Sequence, residues 1–266
     1  MINVNYRRHA CISALLITLV ASPVTAVPSQ AQEVSKELPP ILKSIELQGL
    51  KILGEMDVPG GLRAFAAKAG SQPLAIYLTP DNKHVVVGTL VDADGQNMAA
   101  AQLKALAEKP ILESGWKQLE GSTWVADGKA KAPRIVYTFT DPNCPYCNKF
   151  WHAARPWVES GKVQLRHVMV GVIRQDSPAK AAAILEAKSP SGALTENELK
   201  HRDGGIKPAS AISAKSAASL DSNANLMTEL GFGGTPAIVF KKADGSIGTV
   251  AGMPEDAALE MIFGKQ

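Results

Sequence analysis

Residues 139–151 read Phe-Thr-Asp-Pro-Asn-Cys-Pro-Tyr-Cys-Asn-Lys-Phe-Trp and hold two of the chain's three cysteines. The β-branched run Arg134–Phe139 before them predicts a strand. A helix is expected to start around Cys144 and run toward Ser160, kinked at Pro156, which has no N–H to donate. Three readings compete for such a pair: half a metal site, a short structural staple, or a redox couple. A structural zinc site wants four ligands. Beyond the pair, and leaving aside His9 and Cys11 at the amino terminus, the chain offers His84, His152, His167 and His201, and His152 falls off the cysteine face of the expected helix, so no metal is expected. A bridge across two residues stabilises little, because loop-closure entropy grows with loop length.

The redox reading accounts for the details. The N–H groups and dipole at a helix start favour an anion, and thiols so placed ionise near neutral pH. Cys144 is therefore expected as the exposed attacking sulfur and Cys147, one turn deeper, as the buried resolving one. Pro145 suits an early helical position, where its missing N–H is no loss. Tyr146 is placed to shape access to the sulfurs.

The compartment agrees. Arg7 and Arg8 precede an apolar run from about Ala10 to Val20, followed by small-residue cleavage options after Ala26 or Ala31. That layout predicts a secretory signal peptide at 1–26, since the run falls short of the roughly 20 residues a spanning helix needs. Cleavage removes Cys11, leaving Cys144 and Cys147 alone, and lowers the formal charge from +3 to +1. A surface so near neutrality gives no electrostatic case for binding nucleic acid. The destination is an oxidising one, a bacterial periplasm, where disulfides persist.

Beyond the signal the chain divides in two. Residues 32–96 predict a small α+β unit: a helix ending before Gly49, a strand Leu50–Val58, and β-rich runs Leu74–Leu78 and His84–Val91. Residues 97–120 predict a linker helix with a break near Pro110. Residues 121–266 predict the order β-α-β, a helical insertion, then β-β-α. The parts expected there are the strand Val163–Val172, a helix over Pro178–Lys188, a weakly signalled polar stretch to Ser222, and helical Ala224–Leu230. The hairpin Ala237–Phe240/Ile247–Ala251 and a helix Glu255–Phe263 close the chain. Strands alternating with helices and ending in a hairpin argue for an α/β fold, an open mixed sheet covered on both faces.

The motif Phe139–Trp151, continued by the stretches 154–173, 233–240 and 252–264 and joined in the amino-terminal part by 37–53 and 76–88, resembles the periplasmic protein-disulfide isomerases of the DsbC/DsbG group. Cys144-Pro145-Tyr146-Cys147 with residues 151–165 is closest to the DsbG branch. That resemblance implies a thioredoxin-like catalytic domain with a helical insertion at 121–266, an amino-terminal dimerisation domain at 32–96, and a V-shaped homodimer. It also implies that Pro236 is cis beside the cysteines, that the main chain of Thr235 pairs with substrate, and that the redox-active Cys144–Cys147 disulfide serves without a cofactor. The implied partners are unfolded or misfolded periplasmic proteins and a membrane thiol reductase that keeps the pair reduced. The implied activity is reduction or isomerisation of disulfides, with sulfenic-acid reduction as a variant. A DsbA-like dithiol oxidase and a chaperone acting chiefly through the dimer cleft are the alternatives. Thioredoxin carries a buried aspartate where this chain has Thr138, so the group that deprotonates Cys147 is left unassigned.

Overall fold

The structure, a computed structural model, describes residues 38–265. The expected signal peptide lies outside the described residues. No helix among them is long and apolar enough to cross a membrane.

The amino-terminal part opens with α1 (Pro40–Glu46). An antiparallel sheet follows, made of β1 (Leu50–Met56), β2 (Arg63–Ala69), β3 (Gln72–Leu78) and β4 (Val85–Val87) in that order. The sheet is covered on both faces. Leu42 and Ile45 of α1 pack on Phe65, Ala67, Ile76 and Leu78, while Ala64, Ala66, Ala75 and Tyr77 face Leu103 and Leu106 of the helix that comes next.

Two sequence expectations need correction here. Strand β2 is absent from them, because a strand buried on both faces loses the polar alternation that marks a half-buried one, and Arg-Ala-Phe-Ala-Ala-Lys-Ala has no β-branched residue. The strand expected over His84–Val91 shrinks to Val85–Val87, since β4 is an edge strand and only three of its residues find partners on β3.

The helical segment runs from residue 100 to 121 as α2 (Ala100–Leu103), a π-helical turn (Lys104–Glu108) and α3 (Lys109–Gly121). The expected break near Pro110 is thus a local change of winding. Proline removes one hydrogen bond and crowds the preceding turn, and a π turn is a usual accommodation for such an insertion.

The second part is built on a five-stranded sheet. Its members are β5 (Trp124–Asp127), β6 (Arg134–Thr140), β7 (Val163–Met169), β8 (Ala237–Lys241) and β9 (Ile247–Ala251), ordered β5-β7-β6-β8-β9. β6 and β7 are parallel and the remaining neighbours antiparallel. Between β6 and β7 runs α4 (Pro145–Glu159), and α8 (Asp256–Phe263) closes the chain. These two helices cover one face of the sheet, where Phe150, Ala154, Trp157 and Phe263 meet Val136, Leu165 and Phe240. The other face takes α3 and α7 (Ala214–Glu229), with Trp116, Leu119, Leu226 and Met227 on Tyr137, Phe139 and Val239.

The helical insertion consists of α5 (Ser177–Leu185), α6 (Pro190–Leu199), a 3₁₀ turn (His201–Asp203) and the first half of α7. It builds its own small core from Met169, Ala181, Ile184, Leu194 and Leu220. Strand β5, helix α6 and the amino-terminal half of α7 had no counterpart among the expectations. β5 is four residues long, and α6 (Pro-Ser-Gly-Ala-Leu-Thr-Glu-Asn-Glu-Leu) has neither a strong apolar stripe nor high propensity. The two parts touch where Ser71, in the β2–β3 turn, donates its hydroxyl to the carbonyl of Thr228 at 3.0 Å.

Candidate active site

Strand β6 ends at Thr140, a turn of Asp141, Pro142 and Asn143 follows, and Cys144 is the N-cap of α4. Cys144 keeps an extended backbone, φ −78° and ψ 113°, which folds its sulfur back over the first helical turn. There it accepts the N–H of Cys147 at 3.2 Å. On its other side the thiol donates to the carbonyl of Thr235 at 3.3 Å. The Thr235–Pro236 peptide bond is cis. Both cysteines are free thiols.

The expectation that Cys144 is exposed is wrong. It is 2% accessible and Cys147 is 3% accessible, so access does not separate the two. The N-cap geometry and the Thr235 loop together cover the first sulfur. What separates them is charge preference. The Cys147 thiol, acting as donor, holds Cys144 down to about 6 against the opposing effect of burial; the Thr235 hydroxyl and the main-chain N–H groups of Cys147 and Tyr146 add to it. Cys147 is pushed well above the usual thiol range, first by burial and then by its neighbour Cys144. A thiolate on Cys144 facing a protonated Cys147 is the resting arrangement this geometry favours.

The surroundings divide into an apolar rim and a polar foundation. Tyr146, Val172 and Ile173 are exposed at 54%, 49% and 46%, with Tyr146 under the Lys149 ammonium at 5.2 Å. The hydroxyl of Thr235 is buried and makes no hydrogen bond while Cys144 is a thiol, but lies close enough to favour the thiolate; that of Thr138, the residue standing where thioredoxin has its aspartate, is buried and unpartnered. On the face of the sheet that α4 covers, Thr140 Oγ1 and His167 Nδ1 lie 2.9 Å apart. His167 Nε2 is 3.5 Å from Asp127 Oδ2, and Arg155 pairs with both oxygens of that carboxylate. Burial opposes ionisation of Asp127, yet His167 and Arg155 outweigh it and hold the acid far below the usual range.

Among the described residues no group of three or more histidine, cysteine or acidic side chains is arranged to hold a metal. His152 is turned to solvent, edge-on to Trp151 at 4.9 Å. The residues that sequence reasoning left without a role are Asp141, Asn143, Asn148, Ser177, Lys180, Asn197 and Glu198. The one signal for them in the chain is the polar run Thr140-Asp141-Pro142-Asn143 between the expected strand and the expected helix.

Sheet order, helix placement and the thiol pair capping α4 make this a thioredoxin-fold thiol protein. The Thioredoxin-like domain family matches residues 125–265. The chain is 45% identical over 230 residues to the thiol:disulfide interchange protein DsbG of Pseudomonas aeruginosa, covering 86% of this chain and 90% of that one. It is 40% identical over 235 residues to DsbG of Escherichia coli, with coverages of 87% and 94%. Among solved structures, Helicobacter pylori DsbG aligns with a TM-score of 0.41 at 15% identity, over 75% of this chain and 98% of that one. Proteus mirabilis ScsC in a transitional conformation aligns with a TM-score of 0.48 at 21% identity, over 62% and 85%. The chain belongs to the DsbG family of thiol:disulfide interchange proteins. The match runs through the amino-terminal part as well as the thioredoxin-like domain, and the DsbA-like alternative is not favoured.

Proposed function

We propose that Cys144 is the attacking nucleophile and Cys147 the resolving thiol of a periplasmic disulfide reductase and isomerase. The observation that carries this is the asymmetry at one helix start: Cys144 is held down to about 6 while burial pushes Cys147 up. The Cys144 thiolate attacks one sulfur of a substrate disulfide. A mixed disulfide forms and the other substrate sulfur leaves as a thiolate, which takes up a proton. Cys147 then loses its proton and attacks the Cys144 sulfur, releasing a reduced substrate and leaving the internal disulfide. In isomerisation a further thiol of the substrate attacks the mixed disulfide first. The substrate gains a rearranged bond and Cys144 is regenerated as thiolate with no net transfer of electrons. A sulfenic acid follows the same route, condensing with the Cys144 thiol to a mixed disulfide with loss of water. The carbonyl of Thr235, beside the sulfur, is the group that pairs with the substrate main chain. The cysteine pair itself carries the electrons, without a bound cofactor, and a membrane thiol reductase restores its reduced form.

The homodimer through residues 32–96 belongs to the same reading. A unit of this size buries only about 60% of its unfolded surface and is marginal alone. Its edge strand β4 leaves Val86 and Val87 exposed at 58% and 54%, which supports pairing across a two-fold axis. Two sites would then face a shared cleft that admits an unfolded chain.

A Cys147→Ala variant tests the chemistry. It should accumulate mixed disulfides with scrambled, disulfide-containing substrates, visible as mass adducts on Cys144. Adducts that turn over as fast as in the wild type would remove Cys147 from the resolving role. Light scattering tests the assembly, with the full mature chain expected as a dimer and residues 121–266 as a monomer. A dimeric truncation would move the interface into the thioredoxin-like domain.

A further inference from the structure

The turn before Cys144 is anchored by a carboxylate that has no access to solvent. Asp141 is 1% accessible, and each of its oxygens accepts two hydrogen bonds. Oδ1 takes the N–H of Asn143 at 2.8 Å and the hydroxyl of Ser177 at 2.8 Å. Oδ2 takes the N–H groups of Val172 and Ile173 at 2.7 and 2.9 Å. All four partners donate, and three of them are main-chain N–H groups that cannot reverse. Only a group accepting at both ends satisfies them, and a carboxamide would set a donor against donors.

The same residue's main chain reaches the dithiol. Its carbonyl accepts the N–H of Cys144 at 3.0 Å, and its N–H side faces Cys147 and favours the thiolate there. The insertion makes the anchor stiff. Asn143 Nδ2 donates to Asp176 Oδ1 and to Ser177 Oγ, both at 2.9 Å. Lys180, 6% accessible, donates to Asn143 Oδ1 at 2.7 Å and pairs with Asp176 at 3.1 Å. From α6, Asn197 donates to the carbonyl of Pro142 at 3.1 Å, while Glu198 accepts from Asn148, the residue after Cys147, at 2.8 Å. Gly171 brings the loop after β7 directly onto α5, where a Cβ would sit 2.6 Å from Pro178 Cα.

We infer that Asp141 is a positioning residue of the redox site, locking the turn 141–143 to the loop 172–173 and to α5 so that the first helical turn aims its N–H groups at the cysteine sulfurs. The helical insertion, on this view, sets the chemistry of Cys144 through Asp141. The inference rests on the reading of Cys144 as the reactive thiol.

The test is the ionisation of Cys144 in the reduced protein, followed by thiolate absorbance near 240 nm against pH, in wild type, Asp141→Asn and Ser177→Ala. Loosening the turn weakens N–H donation to the thiolate and raises its pKa. We expect about one unit for Asp141→Asn, a tenfold loss of thiolate at a given acidic pH, and a smaller rise for Ser177→Ala, which leaves three of the four donors. The sign is decisive. A fall in Asp141→Asn would mean that Asp141 acts as a nearby negative charge, and an unchanged pKa with only a lowered Tm would mean that it acts on the fold alone; either overturns the inference. Should Asp141→Asn fail to fold, Ser177→Ala with wild-type ionisation overturns it equally. A wild-type protein in which neither thiol ionises below about pH 8, the ordinary thiol range, defeats the underlying reading of Cys144 and this inference with it.

Discussion

The two sheets of this protein are stabilised by different means. Among the described residues, every buried polar or charged side chain lies between Asp127 and Asn223. The sheet of residues 50–87 is closed above and below by aliphatic, methionine and aromatic side chains. Apolar burial is strong and non-directional. It gives the amino-terminal sheet its stability and tolerates exchange of one shape for another of like volume. A buried polar network costs desolvation unless every member is satisfied, and in return it fixes one geometry. Its concentration at the end of β6 marks where geometry matters, within reach of the cysteine pair.

Substitutions in the two regions should therefore separate chemistry from stability. The largest effect belongs to the thiol itself. Cys144→Ala should abolish disulfide reduction and isomerisation while leaving the fold intact, as followed by insulin reduction and far-UV circular dichroism. Retained turnover would displace the chemistry from this sulfur. Next comes the apolar sheet. Leu42→Ala removes a fully buried side chain packed on Phe65 and Ile76 and should cost about 3 kcal/mol of stability by urea denaturation. The ionisation of Cys144 should not move, and a parallel shift in it would show that the two regions are not independent.

The smallest effect on stability with a defined effect on chemistry is expected from Thr235→Val. The hydroxyl is buried and makes no hydrogen bond while Cys144 is a thiol, so an isosteric methyl should leave stability within about 0.5 kcal/mol or raise it slightly. The same hydroxyl favours the Cys144 thiolate. Its loss should raise the Cys144 pKa by about half a unit, and a less stabilised thiolate makes the disulfide harder to reduce. Equilibrium with glutathione measures this, and an unchanged potential would remove Thr235 from the redox machinery.

What the sequence disclosed follows the same division. Strand β6, the helix start at Cys144 and the terminal hairpin were legible because β-branched runs, a turn of Asp, Pro and Asn, and Asp244-Gly245 are local signals with local causes. The cis bond at Pro236 and its place beside Cys144 came only through family likeness. Strand β2 hid in an alanine-rich stretch whose burial depends on helices at both of its faces. Helix α6 hid because Asn197 and Glu198 serve the turn at 141–143 and the start of α4 rather than an apolar stripe. Exposure of Cys144 was misjudged for a related reason. The carbonyl that covers it comes from Thr235, 91 positions away, and no periodicity reports that contact.

The central claim is that electrostatics rather than access makes the two buried sulfurs unequal. It is tested most directly by brief iodoacetamide treatment of the reduced protein across pH 5–9, with each cysteine quantified by peptide mass. Cys144 should label with a midpoint near 6, its rate falling about tenfold per pH unit below that because only the thiolate reacts, while Cys147 stays unlabelled throughout. Equal labelling of the two sulfurs, or a Cys144 midpoint in the ordinary thiol range near about 8.5, would contradict it.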